Sequence, residues 1–142
     1  MNLEPLYKLI TTFEGLRLRS YLCPAGVWTI GYGSTGPDII PGLVWTKEQA
    51  VERMERDAGI SYRASQKLCP ALDEAKIPAI ADFAYNLGTT RLAGSTLRRK
   101  INLGDLDGAA NEFEKWVYCG GIKLNGLKIR RAAEKILFGK ES

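Results

Sequence analysis

The chain has 142 residues, 45% of them hydrophobic and 25% charged, with a formal net charge of +4. These are the proportions of one soluble globular domain long enough to bury a real core, and they exclude a disordered, fibrous or repetitive chain. Histidine is absent, which removes Ser-His-Asp and Cys-His catalysis and His-ligated zinc, so carboxylates, a thiol, hydroxyls or lysine must carry any chemistry.

Leu3 to Phe13 has Leu6, Leu9, Ile10 and Phe13 at helical spacing, and Gly15 suits the left-handed position that ends a helix. Glu14 then stands at the last turn, where a carboxylate opposes the helix dipole and needs a basic partner or a task. Arg19 to Cys23 and Val27 to Tyr32 read as two strands joined through Pro24, Ala25 and Gly26, with a third short strand at Leu43 to Trp45. "TKEQ", Thr46 to Gln49, has the pattern of a capping box, threonine at the cap and glutamine three residues on. The helix it opens runs to about Lys67, with Val51, Met54, Ala58 and Tyr62 on one face and Glu52–Arg56 and Arg53–Asp57 as i,i+4 pairs. Ile77 to Leu87 is apolar almost all round, with Pro78 in its first turn and Gly88 after it, as expected of a buried central helix. Helices over Ser95 to Leu103 and Leu106 to Trp116 follow. A last one, from about Leu127 to Phe138, sets Ile129, Ala132, Ala133, Ile136 and Leu137 on one stripe, with Arg130, Arg131, Glu134 and Lys135 facing elsewhere.

Strands segregated from helices argue an α+β fold. A small antiparallel sheet lobe over about residues 14–60 is expected to lean on a larger helical lobe. That lobe comprises about 61–142 and the N-terminal helix, and the 142 residues form a single catalytic domain with a cleft between the lobes. Glu14 lies at the junction. A partly desolvated carboxyl there can serve as a general acid, and glycoside hydrolysis needs such an acid plus a second group that attacks the sugar or activates water.

Glu14, eight residues, Cys23, five residues, Thr29: this spacing resembles the catalytic pattern of the phage T4-type lysozymes, glycoside hydrolase family 24, in which Asp or Cys occupies the second place. "FEGLRL", "YLCPAGVWTIGYG", "DFAYNLG", "GSTLRRK", "FEKWVYCGG" and "GLKIRRAAE" resemble family segments in family order and cover nearly the whole chain. Within the family the likeness is nearest to endolysins of lambdoid and similar tailed phages.

The resemblance implies a lysozyme-like fold. It also implies a muramidase that hydrolyses the β-1,4 bond between N-acetylmuramic acid and N-acetylglucosamine in peptidoglycan, causing host lysis. Glu14 would be the acid, Cys23 would sit across the scissile bond, and Thr29 would help hold water or the second group. An arginine of the last helix, Arg130 or Arg131, would pair with Glu14. Two positions depart from the commoner pattern. Cys23 replaces Asp, and a neutral thiol stabilises a positive transition state poorly, although a thiolate could attack or accept a proton. Ser34 in "GYGST" stands where relatives commonly carry histidine, and a hydroxyl cannot titrate as imidazole does.

Other readings compete. A lytic transglycosylase would use the same glutamate without water, and a basic nucleic-acid-binding module would use residues such as "STLRRK". The surplus of positive charge is C-terminal: residues 91–142 hold 11 Lys/Arg and 6 Asp/Glu, against 9 and 10 before them. Trp28, Trp45 and Trp116 are expected in packing, and Gly31, Gly33 and Gly36 in backbone geometry near the cleft. Cys23, Cys69 and Cys119 match neither a disulfide framework nor a zinc spacing, so no metal and no cofactor are expected. "MNLEPLYKLITTF" lacks the basic leader of a signal peptide. The partners expected are peptidoglycan glycan strands, with no nucleic acid and no stable membrane insertion. The protein is expected as a monomer, made in the bacterial cytoplasm and reaching the wall in the periplasm through the pore of a separate holin.

Overall fold

The computed structural model describes residues 1–141. Helix α1 (Glu4–Glu14) leads into a hairpin of β1 (Arg17–Leu22) and β2 (Trp28–Gly31), and the long α2 (Lys47–Leu68) follows. Then come α3 (Ile77–Leu87), α4 (Thr89–Ala93), α5 (Thr96–Asn102) and α6 (Leu106–Glu112), a small hairpin of β3 (Tyr118–Cys119) and β4 (Ile122–Lys123), and α7 (Asn125–Phe138).

Helix α3 is the hub. Ile77 through Ala84 are all buried, and α1, α2, α4 and α7 pack around it. Phe83 meets Phe113 and Trp116 edge to face, with ring centroids 6.1 and 5.2 Å apart. That is the geometry the ring quadrupoles favour. Leu6 and Ile10 of α1, and Met54, Ala58 and Tyr62 of α2, fill the space on its other sides. The capping box forms as expected: Gln49 N–H donates to Thr46 Oγ1 at 3.2 Å, and Thr46 N–H donates to Gln49 Oε1 at 2.8 Å.

The β1–β2 pairing is antiparallel, with Tyr21 opposite Thr29 and a register irregularity between Arg17 and Tyr21. The sheet comes close to α2 because Gly31 lacks a side chain; a Cβ there would sit 3.1 Å from the Trp45 ring and 3.3 Å from Ala50.

The structure corrects four expectations. Leu43 to Trp45 is not a strand: squeezed between the turn at Pro41 and Gly42 and the Thr46 cap, it makes only the bridge Arg19–Val44. Helix α6 stops at Glu112, and Phe113–Lys115 tighten into a 3₁₀ turn. Arg56 pairs with Asp57 rather than Glu52. The largest correction is α7, whose buried side carries Arg130, Arg131, Glu134 and Phe138, while Ile129 and Ile136 are 53% and 72% exposed. The reason is that this face meets charged partners on α1 and α3. Helix α4 and the β3–β4 hairpin are too short to leave a periodic signal. No described helix is long and apolar enough to cross a membrane.

Candidate active site

Glu14 is the last residue of α1, and Gly15 after it takes φ +67°, a conformation that favours glycine and turns the chain into β1. Its side chain is 17% exposed, and Oε2 accepts a hydrogen bond from Arg130 Nη1 at 2.7 Å. The basic partner that the helix end requires therefore comes from α7, and it is Arg130 rather than Arg131. Arg130 is itself fixed from behind: Nε and Nη2 donate to Asp82 Oδ2 and Oδ1 at 2.9 and 2.8 Å, a bidentate fork on a fully buried carboxylate. Burial works against the Arg130 charge, but the Asp82 and Glu14 carboxylates outweigh it and hold the guanidinium above its ordinary range. Burial likewise pushes the Asp82 proton affinity up, and the hydrogen bonds and charge of Arg130 outweigh it, leaving Asp82 below the usual carboxylate range.

Arg131 is fully buried too but turns another way. Its Nη2 donates to Asn86 Oδ1 at 2.6 Å, its Nε lies 2.9 Å from Glu134 Oε1, and its guanidinium stacks 5.3 Å from the Phe83 ring. Asn86, in the last turn of α3, thus anchors α7.

On the sheet side, Gly33 stands directly against the Glu14 carboxyl. Its φ is +74°, and a Cβ built on it would collide with the carboxyl atoms of Glu14. Thr29, on β2, is buried, and its hydroxyl donates to the Val27 carbonyl at 2.9 Å, which leaves its lone pairs as acceptors. Tyr21 is opposite Thr29, and Cys23, two residues on, is held by its N–H to the Val27 carbonyl at 3.0 Å. As cross-strand partners, Tyr21 and Thr29 share one face of the hairpin. Burial first, and then the negative charge of Glu14, raise the Tyr21 phenol above its ordinary value, with Arg17 opposing and Cys23 adding.

Gly33, expected in backbone geometry near the cleft, belongs to this constellation, and so do Tyr21 and Asp82, which were not singled out from the sequence. Gly33 carried a signal, as one of the glycines that punctuate residues 31–36. Tyr21 and Asp82 carried none, because the partners that give them meaning are distant in sequence. Ser34 is buried, and the Tyr85 hydroxyl donates to the Tyr32 carbonyl at 2.5 Å.

The three cysteines are free thiols, and burial pushes the Cys69 thiol up to about 11, as fits an inert packing residue. Among the described residues no cluster of three or more Cys, Asp or Glu could hold a metal ion. In "STLRRK", Arg98 is spent on the Leu68 and Ala93 carbonyls, and Lys100 pairs with Glu112 at 3.2 Å.

A carboxyl held at a helix end against a short hairpin, beside a helical body, defines a glycoside hydrolase of the lysozyme-like class. The comparisons with known proteins agree. The phage lysozyme family model matches residues 11–134. The endolysin of Acyrthosiphon pisum secondary endosymbiont phage 1 is 41% identical over 135 residues, covering 92% of this chain and 92% of that protein. The SAR-endolysin of Bacteriophage PS119 is 35% identical, covering 90% of this chain and 78% of that protein. Among solved structures, the muramidase domain of SpmX from Asticaccaulis excentricus superposes with a TM-score of 0.85 at 31% identity, over 96% of each chain. The endolysin of Escherichia coli O157:H7 phage FAHEc1 gives 0.83 at 31% identity, over 98% of this chain and 94% of that one. The chain belongs to the phage lysozyme family.

Proposed function

We propose that this protein is an endolysin, a lysozyme that hydrolyses the β-1,4 bond between N-acetylmuramic acid and N-acetylglucosamine in peptidoglycan and so lyses the bacterial host. The observation that carries the reading is the Glu14 carboxyl at the end of α1, gripped through one oxygen by Arg130 and shaved close by Gly33.

Glu14 is the general acid that protonates the leaving glycosidic oxygen as positive charge builds on the sugar ring. Arg130 orients the carboxyl through Oε2 and leaves Oε1 for the substrate. Thr29, with its proton committed to Val27, accepts a hydrogen bond from the attacking water and so turns a lone pair of that water toward the anomeric carbon. Cys23 stands across the scissile bond, as a thiolate that accepts a proton or attacks, or as a thiol that positions the water. Arg131, tied to Asn86 and Glu134, holds α7 in place rather than touching substrate.

Residues 1–142 act as one catalytic domain whose sheet and helical lobes share α2 as a spine. The protein works as a monomer on glycan strands, without nucleic acid and without inserting stably in a membrane. It is made in the host cytoplasm and reaches the periplasmic face of the wall when a separate holin opens the inner membrane.

The test is turbidity of outer-membrane-permeabilised cells with native protein and Glu14→Gln. Lysis is expected to vanish in the variant, with circular dichroism unchanged. Mass spectrometry of the released muropeptides should show reducing ends, whereas anhydro ends would mean a transglycosylase. Full lysis by folded Glu14→Gln would overturn the assignment.

A further inference from the structure

Arg53, Arg98, Arg130 and Arg131 are each committed to acceptors inside the fold. Arg53 is closed on Asp38 and Asp57, Arg98 on the Leu68 and Ala93 carbonyls, Arg130 on Asp82 and Glu14, and Arg131 on Asn86. Arg17, the first residue of β1 and a near neighbour of Glu14 in the chain, is held differently. Its side chain is exposed, and the guanidinium lies over the Tyr21 ring with Cζ 4.6 Å from the centroid. Among the described residues no carboxylate or carbonyl accepts a hydrogen bond from that guanidinium.

Stacking uses one face of a guanidinium and leaves its N–H edge open. An arginine already ordered on a ring also loses less freedom when that edge meets an acceptor. The ring is itself placed. Tyr21 is half-buried and stands opposite Thr29, so the stack belongs to the face of the hairpin that carries Thr29. Opposite Arg17 in the register is Gly31, which has no side chain to compete for the edge. Glu14, the nearest acid along the chain, is already gripped by Arg130. The edge of a guanidinium suits a planar anion with two oxygens, a carboxylate above all. A peptidoglycan strand offers such groups beside the bond that is cut. Each N-acetylmuramic acid bears a lactyl carboxyl, free on a bare strand and otherwise joined to a stem peptide with carboxylates of its own.

We propose that Arg17, propped on the Tyr21 ring, is a carboxylate receptor that selects acidic muramyl glycan over a neutral glycan of the same length. Arg17 is thereby a specificity-determining residue. It meets a substituent of the sugar and not the bond that breaks, so it stabilises ground state and transition state alike and acts on KM rather than kcat. That the carboxylate belongs to peptidoglycan rests on the muramidase reading above; the carboxylate site itself does not.

The experiment is calorimetric binding in a Glu14→Gln background, which leaves the glycan uncut. The probes are strands bearing stem peptides, strands stripped by an amidase, and stripped strands whose carboxylates are converted to methylamides. Arg17→Gln should weaken binding of an acidic probe about tenfold and leave the methylamide strands unaffected. A loss that persists on stripped strands assigns the lactyl carboxylate, and a loss confined to peptide-bearing strands assigns the stem peptide. Tyr21→Phe keeps the ring and should bind as its parent does, whereas Tyr21→Leu removes the prop and should lose about threefold on the acidic probes. Arg19→Gln takes the same charge from the same strand, where no ring lies against the side chain, and should shift no probe by more than about twofold. With Glu14 restored, Arg17→Gln should raise KM on peptidoglycan strands and leave kcat unchanged. Equal weakening on all the probes, no weakening on any, or an equal loss in Arg19→Gln overturns the receptor. Native protein that releases no reducing ends, while Arg17→Gln still separates acidic from neutral strands, sinks the muramidase reading alone. Reducing ends without that separation sink the receptor alone.

Discussion

Gly33 holds φ +74° with no space for a Cβ beside the Glu14 carboxyl. Gly33→Ala should thus strain the hairpin and push Glu14 off its Arg130 contact. A displacement of the acid on the ångström scale is expected to lower kcat by about 100-fold while the protein remains folded, measured as lysis rate beside a thermal melt. Cys23 is a separate test of residue chemistry. Cys23→Asp should keep substantial activity, since Asp is the alternative in the family's pattern, whereas Cys23→Ala should lose much of it. A working thiolate gives an alkaline-shifted optimum that moves to lower pH in Cys23→Asp, because a thiol ordinarily ionises near pH ~8.5 and an Asp carboxyl near ~3.9. Cys23→Ala as active as native protein at every pH would make Cys23 a packing residue. The spacing of Glu14, Cys23 and Thr29 was readable as a likeness to a family pattern because it lies inside one local stretch. Asp82 was not, since it acquires its role from Arg130, 48 residues away in the chain.

At the scale of elements, helix α3 was readable to the residue, since an apolar surface all round, Pro in the first turn and Gly after the last admit few alternatives. Helix α7 was readable as a helix and misread as to face. Hydrophobic periodicity assumes that the buried side is the apolar side. Here the buried side carries Arg130, Arg131 and Glu134; Arg130 is met by Glu14 and Asp82 and Arg131 by the Asn86 amide, all from other helices, and Ile129 and Ile136 are left to solvent. The inversion has a measurable consequence. Ile136→Lys should change stability by no more than about 0.5 kcal/mol. Arg130→Met strands the buried Asp82 carboxylate and should cost about 3–5 kcal/mol. Chemical denaturation of both variants checks the pair of values, and the reverse order would restore the apolar-stripe assignment.

Over the whole molecule, the contact between Glu14 and Arg130 spans 116 positions of sequence and ties α1 to α7, so the two ends of the chain complete the helical body. The buried acids behind that contact make stability depend on pH in two opposed ways. Asp82 is held below its ordinary range in the folded state. Its contribution is therefore present above the unfolded value of about 3.9 and is lost as pH falls through the lower folded value. Glu134 is held above its range. Its contribution is complete below the unfolded value of about 4.3 and is lost as pH rises toward the folded value, because the folded state then binds a proton that the unfolded state has released. The chain has no histidine, so no imidazole titrates between pH 5 and 8 to obscure this. The native protein should lose stability across that window relative to Glu134→Gln, with a slope of at most about 1.4 kcal/mol per pH unit, the value for one proton. Denaturant melts of the two proteins at pH 5, 6, 7 and 8 measure the difference directly, and subtraction cancels the N-terminus and every other group they share. Parallel stability curves would mean that Glu134 is ionised in the folded protein.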